Sequence, residues 1–367
     1  MKRRIAAIGS IFMVIILTIF SFILGEDLLQ EYNIPLPGNS TIPELPAADT
    51  DWYEIYFTDP ACGPEETWVD GIDSYIVADI LAAEARVDVA AFDLDLESIV
   101  NALISLEKAG IPVRVVTDED NSELSSINRL RRNGISVVED KRTGFMHNKF
   151  VVVDGRIVWT GSMNLTGSGA YCNNNHMVRI ESPRLALNYT AEMDEMYTER
   201  LFGPDSPVNT ANQNLIIGGV NVENYFGPEV EISPTLARTV ARAEEEILFM
   251  AFAFTDERIG EAMLGRADAG VSVRGVFERS GAESGFSYYG IMAAAALPNM
   301  QVRQDGNPRI MHHKVIIIDR ETVILGSFNF SESANSRNDE NVLVVHDPTF
   351  ASFFVEEFET VWNEAAP

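Results

Sequence analysis

The sequence predicts an α/β chain of two similar units related by a pseudo-twofold, each built on a mixed, mainly parallel sheet. Short apolar runs of strand length alternate with helical stretches. The pattern occurs twice, at an offset of 160 residues in its first part and 165 in its second. Both copies carry the same string of polar residues.

In the first copy, residues 87–92 (VDVAAF) read as a strand. A helical stretch through Ile99, Leu103 and Leu106 follows, and 110–116 form a second strand. In the second copy, 247–252 (ILFMAF) lead into a helical stretch with Ile259 and Met263, and 270–276 follow. Met146-His147 then aligns with Met311-His312, so the second copy carries five extra residues in between. The expected division is a first lobe over 52–205, a linker over 206–217 and a second lobe over 218–367. A duplication whose halves share one site is the natural architecture. Two independent domains are the alternative.

At 367 residues and 46% hydrophobic, the chain can bury one large core or two ordinary ones. Fifty-five acids against 27 bases give a formal charge of −28. Such a surface repels phosphate backbones at long range and weighs against binding nucleic acid by charge alone. It also keeps a protein soluble.

Lys2, Arg3 and Arg4 precede an uncharged run over 5–24. That run is long enough to cross a bilayer with the basic residues on the cytoplasmic side. The stretch before Gly25 is a poor cleavage site, so an uncleaved anchor is preferred to a cleaved signal peptide over 1–25. Either one exports the rest. Residues 26–51, with Pro35, Pro37, Pro43 and Pro46, read as an extended spacer, and Asn39-Ser40-Thr41 within it is a formal glycosylation acceptor. Export makes Cys62 and Cys172 candidates for a disulfide; two buried thiols are the equal alternative. Neither has zinc-site spacing.

The polar string reads His147-x-Lys149-x4-Asp154, then Gly161-Ser162-x-Asn164. Its second copy reads His312-x-Lys314-x4-Asp319, then Gly326-Ser327-x-Asn329, at a constant offset of 165. Residues two apart on a strand share a face, so each His projects with its Lys. Asp154-Gly155 signals a hairpin whose return strand brings Ser162 and Asn164 to the same place. Each half thus offers imidazole, ammonium, hydroxyl and amide to one spot. These groups suit phosphodiester cleavage without a metal or cofactor: one neutral His attacks phosphorus, and a second His handles the leaving group's proton. Two lysines and two asparagines offset charge on the phosphoryl oxygens.

This doubled string resembles the HKD signature of the phospholipase D superfamily, and the repeat extends the resemblance over residues 52–364. The resemblance implies a two-lobed α/β/α fold with the site at the lobe interface, a phosphohistidine route and no required metal. It makes His147 and His312 nucleophile and acid/base, with Lys149, Lys314, Asn164 and Asn329 on the phosphate. Asp154 and Asp319, members of the catalytic motif, are by the same resemblance structural supports. Ser162 and Ser327 are secondary members of the phosphate site that orient the histidines.

One asymmetry separates the halves. Glu340 lies 28 residues after His312, and the same position after His147 holds Asn175. A carboxylate fixes an imidazole tautomer and stabilises positive charge on the ring. In similar enzymes this acid reaches across the interface, which favours His147 as nucleophile; within its own half, Glu340 would favour His312. His313 is expected to pack, His176 to pack or border the cleft, His346 to be structural, and Asp93 and Asp95 to sit in a solvated loop.

The motifs set the chemistry and leave the substrate open. The apparent anchor and the acidic surface favour a phospholipid at a membrane surface, by hydrolysis or headgroup transfer. An extracellular nuclease acting on nucleic acid is the alternative, and an inactive binding protein ranks third. The internal duplication makes a monomer sufficient.

Overall fold

The computed structural model describes residues 52–365. The expected anchor over 1–25, the spacer and the Asn39 triplet lie outside the described residues. Among those described, no helix is long and apolar enough to cross a membrane.

The first lobe holds β1 (Tyr53–Phe57), β2 (Val87–Ala91), β3 (Val113–Asp118), β4 (Ser136–Asp140), β5 (Lys149–Val153), β6 (Ile157–Gly161) and β7 (His176–Glu181). They form one sheet in the order β1-β7-β6-β5-β2-β3-β4. The second lobe holds β8 (Asn214–Ile217), β9 (Val220–Gly227), β10 (Glu246–Ala251), β11 (Ser272–Phe277), β12 (Met300–Gln304), β13 (Lys314–Ile318), β14 (Thr322–Gly326) and β15 (Glu340–His346). Its order is β12-β11-β10-β13-β14-β15-β9-β8, so the two sheets match strand for strand apart from the extra β8.

Two expectations need correction. The sheets are mixed, but they are mainly antiparallel: only β2–β3, β3–β4, β10–β11 and β11–β12 pair in parallel. Parallel pairing needs a helical crossover, and only these strands have one; β5–β6 and β13–β14 are hairpins. The hairpin turns use Asp154 and Gly155 at φ 52° and 61°, and Asp319 and Arg320 at 52° and 56°. Consecutive positive φ values are the backbone of the tight turn that matches strand twist. The second correction concerns the linker, which ends earlier than 217 because β8 pairs with β9 and belongs to the second sheet.

Each sheet is covered on its outer face by its own helices, with Ile76, Leu103 and Ile127 in one lobe and Leu236, Ile259 and Met263 in the other. A third apolar cluster joins the lobes. It is built on the helices Pro183–Asp194 and Pro348–Glu364, which bring Tyr189 and Met193 against the same core as Phe354 and Phe358. The two lobes share a core, so a side chain at their boundary has a fixed partner across it.

Candidate active site

His147 and His312 each lie just before a central strand, on segments that pair across the lobe boundary. The amide of His147 donates to the carbonyl of Asp339 at 3.0 Å, and that of His312 donates to the carbonyl of Asn174 at 2.9 Å. Carboxylates hold the preceding amides: Met146 N–H donates to Asp118 at 2.9 Å and Met311 N–H to Glu278 at 2.8 Å. Each motif is therefore seated by the other half of the molecule.

The rings differ in what backs them. His147 Nδ1 lies 2.8 and 2.9 Å from the two oxygens of Glu340, across the boundary. A carboxylate only accepts, so Nδ1 carries the proton and Nε2 is left with its lone pair. Ser327 Oγ donates to Glu340 at 2.5 Å and Asn338 Nδ2 at 3.4 Å, fixing the acid in turn. His312 Nδ1 meets the neutral amide oxygen of Asn175 at 3.0 Å, and Ser162 Oγ donates to that same oxygen at 2.9 Å.

Both lysines are buried, and each ammonium donates to the carbonyl of its own motif histidine, at 2.8 Å for Lys149 and 2.7 Å for Lys314. Burial pushes Lys149 down to about 7, against the pull of Glu340, Asp93 and Asp118. Burial and then repulsion from Lys149 push Lys314 well below its ordinary value. Burial takes His147 down to about 4; Glu340 opposes the shift and the two lysines add to it. His312 is lowered by burial, then by Lys314, Lys149 and His147, which places both histidines and both lysines within one electrostatic neighbourhood. Free positive charge is costly here, and an arriving anion relieves that cost.

Asn164 and Asn329 are half-buried, each with a buried side-chain oxygen that has no hydrogen-bond partner. Ser162 and Ser327 are fully buried, and their hydroxyls are engaged by Asn175 and Glu340 and by the amides of His176 and Asn341. Both hydroxyls are thus spent on orienting the groups behind the histidines. Asp154 and Asp319 lie at the far ends of β5 and β13. Asp154 accepts the amides of Glu84, Ala85 and Arg86 at 2.7–3.0 Å, and Asp319 those of Glu244, Glu245 and Glu246 at 2.8 Å. They tie a loop to a hairpin and take no place beside the histidines.

Sequence reasoning missed two aromatic walls. Phe92 and Phe252 end the matching strands of the two lobes. Their rings lie 5.3 and 4.7 Å from His147 and His312, and 5.5 and 4.6 Å from the ammonium groups of Lys149 and Lys314. A phenylalanine closing both copies of one strand was the available signal. Asp93 was expected in a solvated loop; it is half-buried beside Lys149, and burial followed by Asp95 raises it to about 6. Asp95 caps the amide of Gly167 at 2.8 Å. His346 is structural, bonded to Glu223 at 2.8 Å, and His176 is fully buried away from the cleft. Cys62 and Cys172 form a disulfide spanning 110 residues, next to the segment that carries Asn174 and Asn175.

Two matching lobes with one His-x-Lys pair each, cross-braced at a shared boundary, define the phospholipase D class of fold. A family model described as cardiolipin synthase, PLD-like domain, matches residues 76–197 and 236–362, more than half of the chain. The chain belongs to this phospholipase D-like family and is a phosphodiesterase of that kind. A phospholipase D of Rickettsia felis is 36% identical over 37% of this chain and 67% of its own length. A mitochondrial cardiolipin hydrolase of Homo sapiens is 34% identical over 36% of this chain, which spans about half (51%) of that relative. The crystal structure of a phosphatidylserine synthase from Haemophilus influenzae shares the fold, with a TM-score of 0.61 at 14% identity over 84% of this chain and 85% of that one.

Proposed function

We propose that this chain is a metal-independent phosphodiesterase that works through a phosphohistidine and acts on phospholipids, releasing the headgroup to water or to an alcohol. The observation that carries the reading is the grip of Glu340 on His147 Nδ1, which leaves Nε2 as a neutral nucleophile. As Nε2 bonds to phosphorus, the ring becomes cationic, and the buried carboxylate stabilises that charge. The phosphorus–oxygen bond to the leaving alcohol breaks, and His312 supplies its proton. His312 then takes a proton from water, which attacks phosphorus and breaks the phosphorus–nitrogen bond, returning His147.

His312 and the lysines are disfavoured as cations in the empty site, and the anionic diester supplies the missing counter-charge on arrival. Lys149, Lys314, Asn164 and Asn329 hold the non-bridging oxygens. Support for a lipid comes from the relatives named for phospholipid and cardiolipin cleavage, and from a formal charge of −28 that repels polynucleotides. The apolar run over 5–24 and the Cys62–Cys172 disulfide support a site on the outer face of a membrane. One chain supplies both halves, so a monomer suffices.

The test is a substrate panel in EDTA: bis-p-nitrophenyl phosphate, mixed phospholipid vesicles, and plasmid or single-stranded DNA. Headgroup release from vesicles without added metal is the expected result. Cleavage of DNA alone would replace the lipid reading with a nuclease. Full biological effect in a His147→Asn, His312→Asn variant would leave only a binding role.

A further inference from the structure

On the opposite face of the strands that carry the motifs, a second layer of side chains crosses the lobe boundary, and its two halves differ. On one side Asn148 Nδ2 donates to Glu192 at 2.8 Å, and Asn341 Nδ2 donates to Asn148 Oδ1 at 2.8 Å. Asn341 Oδ1 accepts from Thr160 at 2.6 Å and Tyr189 at 3.2 Å. Both amides are satisfied, and neither can titrate.

The 165-residue offset carries Asn148 onto His313, Glu192 onto Glu357, Thr160 onto Leu325 and Tyr189 onto Phe354, while His176 takes the place of Asn341. Here two fully buried imidazoles meet edge to edge across the boundary, their planes within 9° and centroids 5.3 Å apart, with Nδ1 to Nδ1 at 3.0 Å. His313 Nε2 lies 2.9 Å from Glu357. His176 Nε2 is buried without a partner, because the two donors of the other half are replaced by Leu325 and Phe354.

A nitrogen–nitrogen contact of this length needs one N–H and one lone pair. With Glu357 ionised, His313 donates from Nε2 and accepts at Nδ1 from His176. If Glu357 takes up a proton, both tautomers reverse and the His176 Nε2–H faces apolar side chains. A second proton on either ring puts two N–H groups in opposition and breaks the contact. The opposite half has no such dependence.

We propose that His176 and His313 are positioning residues for His312, joined by one shared proton that keeps the second motif in place only while both rings are neutral. His313 stands between His312 and Lys314, and its carbonyl accepts the amide of Phe252 at 2.9 Å, whose ring lies on His312. A shift of His313 therefore reaches His312 from two sides.

The charged groups facing the pair are Lys314 on its own strand and Glu357 on the helix Pro348–Glu364, with Glu364 and then Asp59 beyond. Burial, with the other charges adding, holds His176 well below the ordinary 6.5, and burial then Lys314 takes His313 to about 3. The unfolded chain takes up these protons as pH falls below 6.5 and the folded one refuses them, so this support weakens toward acid. Burial raises Glu357 to about 8, which acts in the opposite sense, its contribution fading as pH rises toward that value. Two rings outweigh one carboxyl below 6.5.

The test is the double variant His176→Asn, His313→Asn, which puts two amides that cannot titrate at these positions, without the Thr160 and Tyr189 donors of the other half. In the native chain, thermal stability should fall between about pH 6.5 and about 5, and kcat on bis-p-nitrophenyl phosphate should fall later, between about pH 5 and about 3 with KM little changed, where the folded rings themselves take up protons. The double variant should lose less thermal stability over the first range, and its kcat should fall about tenfold less than that of the native chain over the second. Equal slopes in the two proteins would overturn the proposal. Nitrogen-15 spectra of the native imidazoles, which need no variant, should show opposite Nδ1 protonation in the two rings near neutral pH; two identical rings would also overturn it. The catalytic arm rests on the function proposed above. A native chain that cleaves no diester would defeat that function, while the thermal and spectroscopic arms still decide the proton-linked pair.

Discussion

Glu340 of the second lobe holds His147 of the first with both carboxylate oxygens, at 2.8 and 2.9 Å, whereas the counterpart Asn175 offers His312 one neutral oxygen at 3.0 Å. Only one of two matching rings has a counter-charge for a cationic phosphorylated state. Glu340→Gln keeps the shape and removes the charge. We expect kcat to fall by about 10²–10³-fold with KM within about threefold, since the lost interaction belongs to the transition state. Steady-state kinetics on bis-p-nitrophenyl phosphate measure this. Peptide mapping of the trapped phosphoenzyme should find the label on His147, and label on His312 would reverse the assignment.

The lysines give a basic limb. The free-enzyme profile, kcat/KM against pH, reports groups of the empty site, and Lys149 sits at about 7 there. The decline begins below 6.5, as His312 loses the proton it must supply, and steepens as pH rises through about 7, where Lys149 loses its charge and the phosphate a counter-charge. Lys149→Arg should make the limb shallower above about 7, because a guanidinium stays charged and only the His312 part is left. In the His176→Asn, His313→Asn background the remaining acid limb belongs to His147, near about 4. A basic limb of unchanged slope in Lys149→Arg would remove Lys149 from the phosphate site.

Asp154 separates fold from chemistry. Its carboxylate accepts three backbone amides, at 2.9, 2.7 and 3.0 Å. Burial raises its pKa, the three amides more than offset that, and the net shift is downward. Its stabilising effect is therefore complete at neutral pH and is lost as pH falls through the carboxylate range. Asp154→Asn tolerates the positive φ and turns one acceptor into a donor facing an amide. The expected cost is roughly 1–3 kcal/mol of stability, with kcat per folded molecule unchanged. Chemical denaturation and active-site titration test the two halves of that statement.

The string of polar residues made the site legible, because chemistry fixes residue type and strand geometry fixes spacing. Period-2 alternation put His147 with Lys149 on one face, and the offset of 165 put the second copy in register. Sheet polarity was not legible. The strand–helix–strand segments suggested parallel pairing, while β7 and β1 join the sheet by antiparallel contacts that no local pattern announces. The His176–His313 contact was beyond reach for the same reason, since a hydrogen bond across 137 positions depends on how two lobes dock. Phe92 and Phe252 looked like ordinary strand residues, because a half-buried wall and a core position share one residue type.

The disulfide closes a chain of contacts that ends on His312. Cys172 opens the segment that runs to Asn175; its carbonyl accepts from Asn307 Nδ2 at 3.1 Å, which also bonds Asn174 Oδ1 at 2.6 Å. Asn174 then accepts the amide of His312, and Asn175 holds its ring. Removing the bond in Cys62→Ser, Cys172→Ser frees the loop of 110 residues in the unfolded chain and should cost about 2–5 kcal/mol. If the bond braces the site as well, kcat on bis-p-nitrophenyl phosphate falls by about threefold to tenfold at a temperature where the variant is fully folded. Unchanged thermal stability would defeat the structural role. Lower stability with unchanged kcat would show that Asn307 and the lobe contact alone hold the segment under His312.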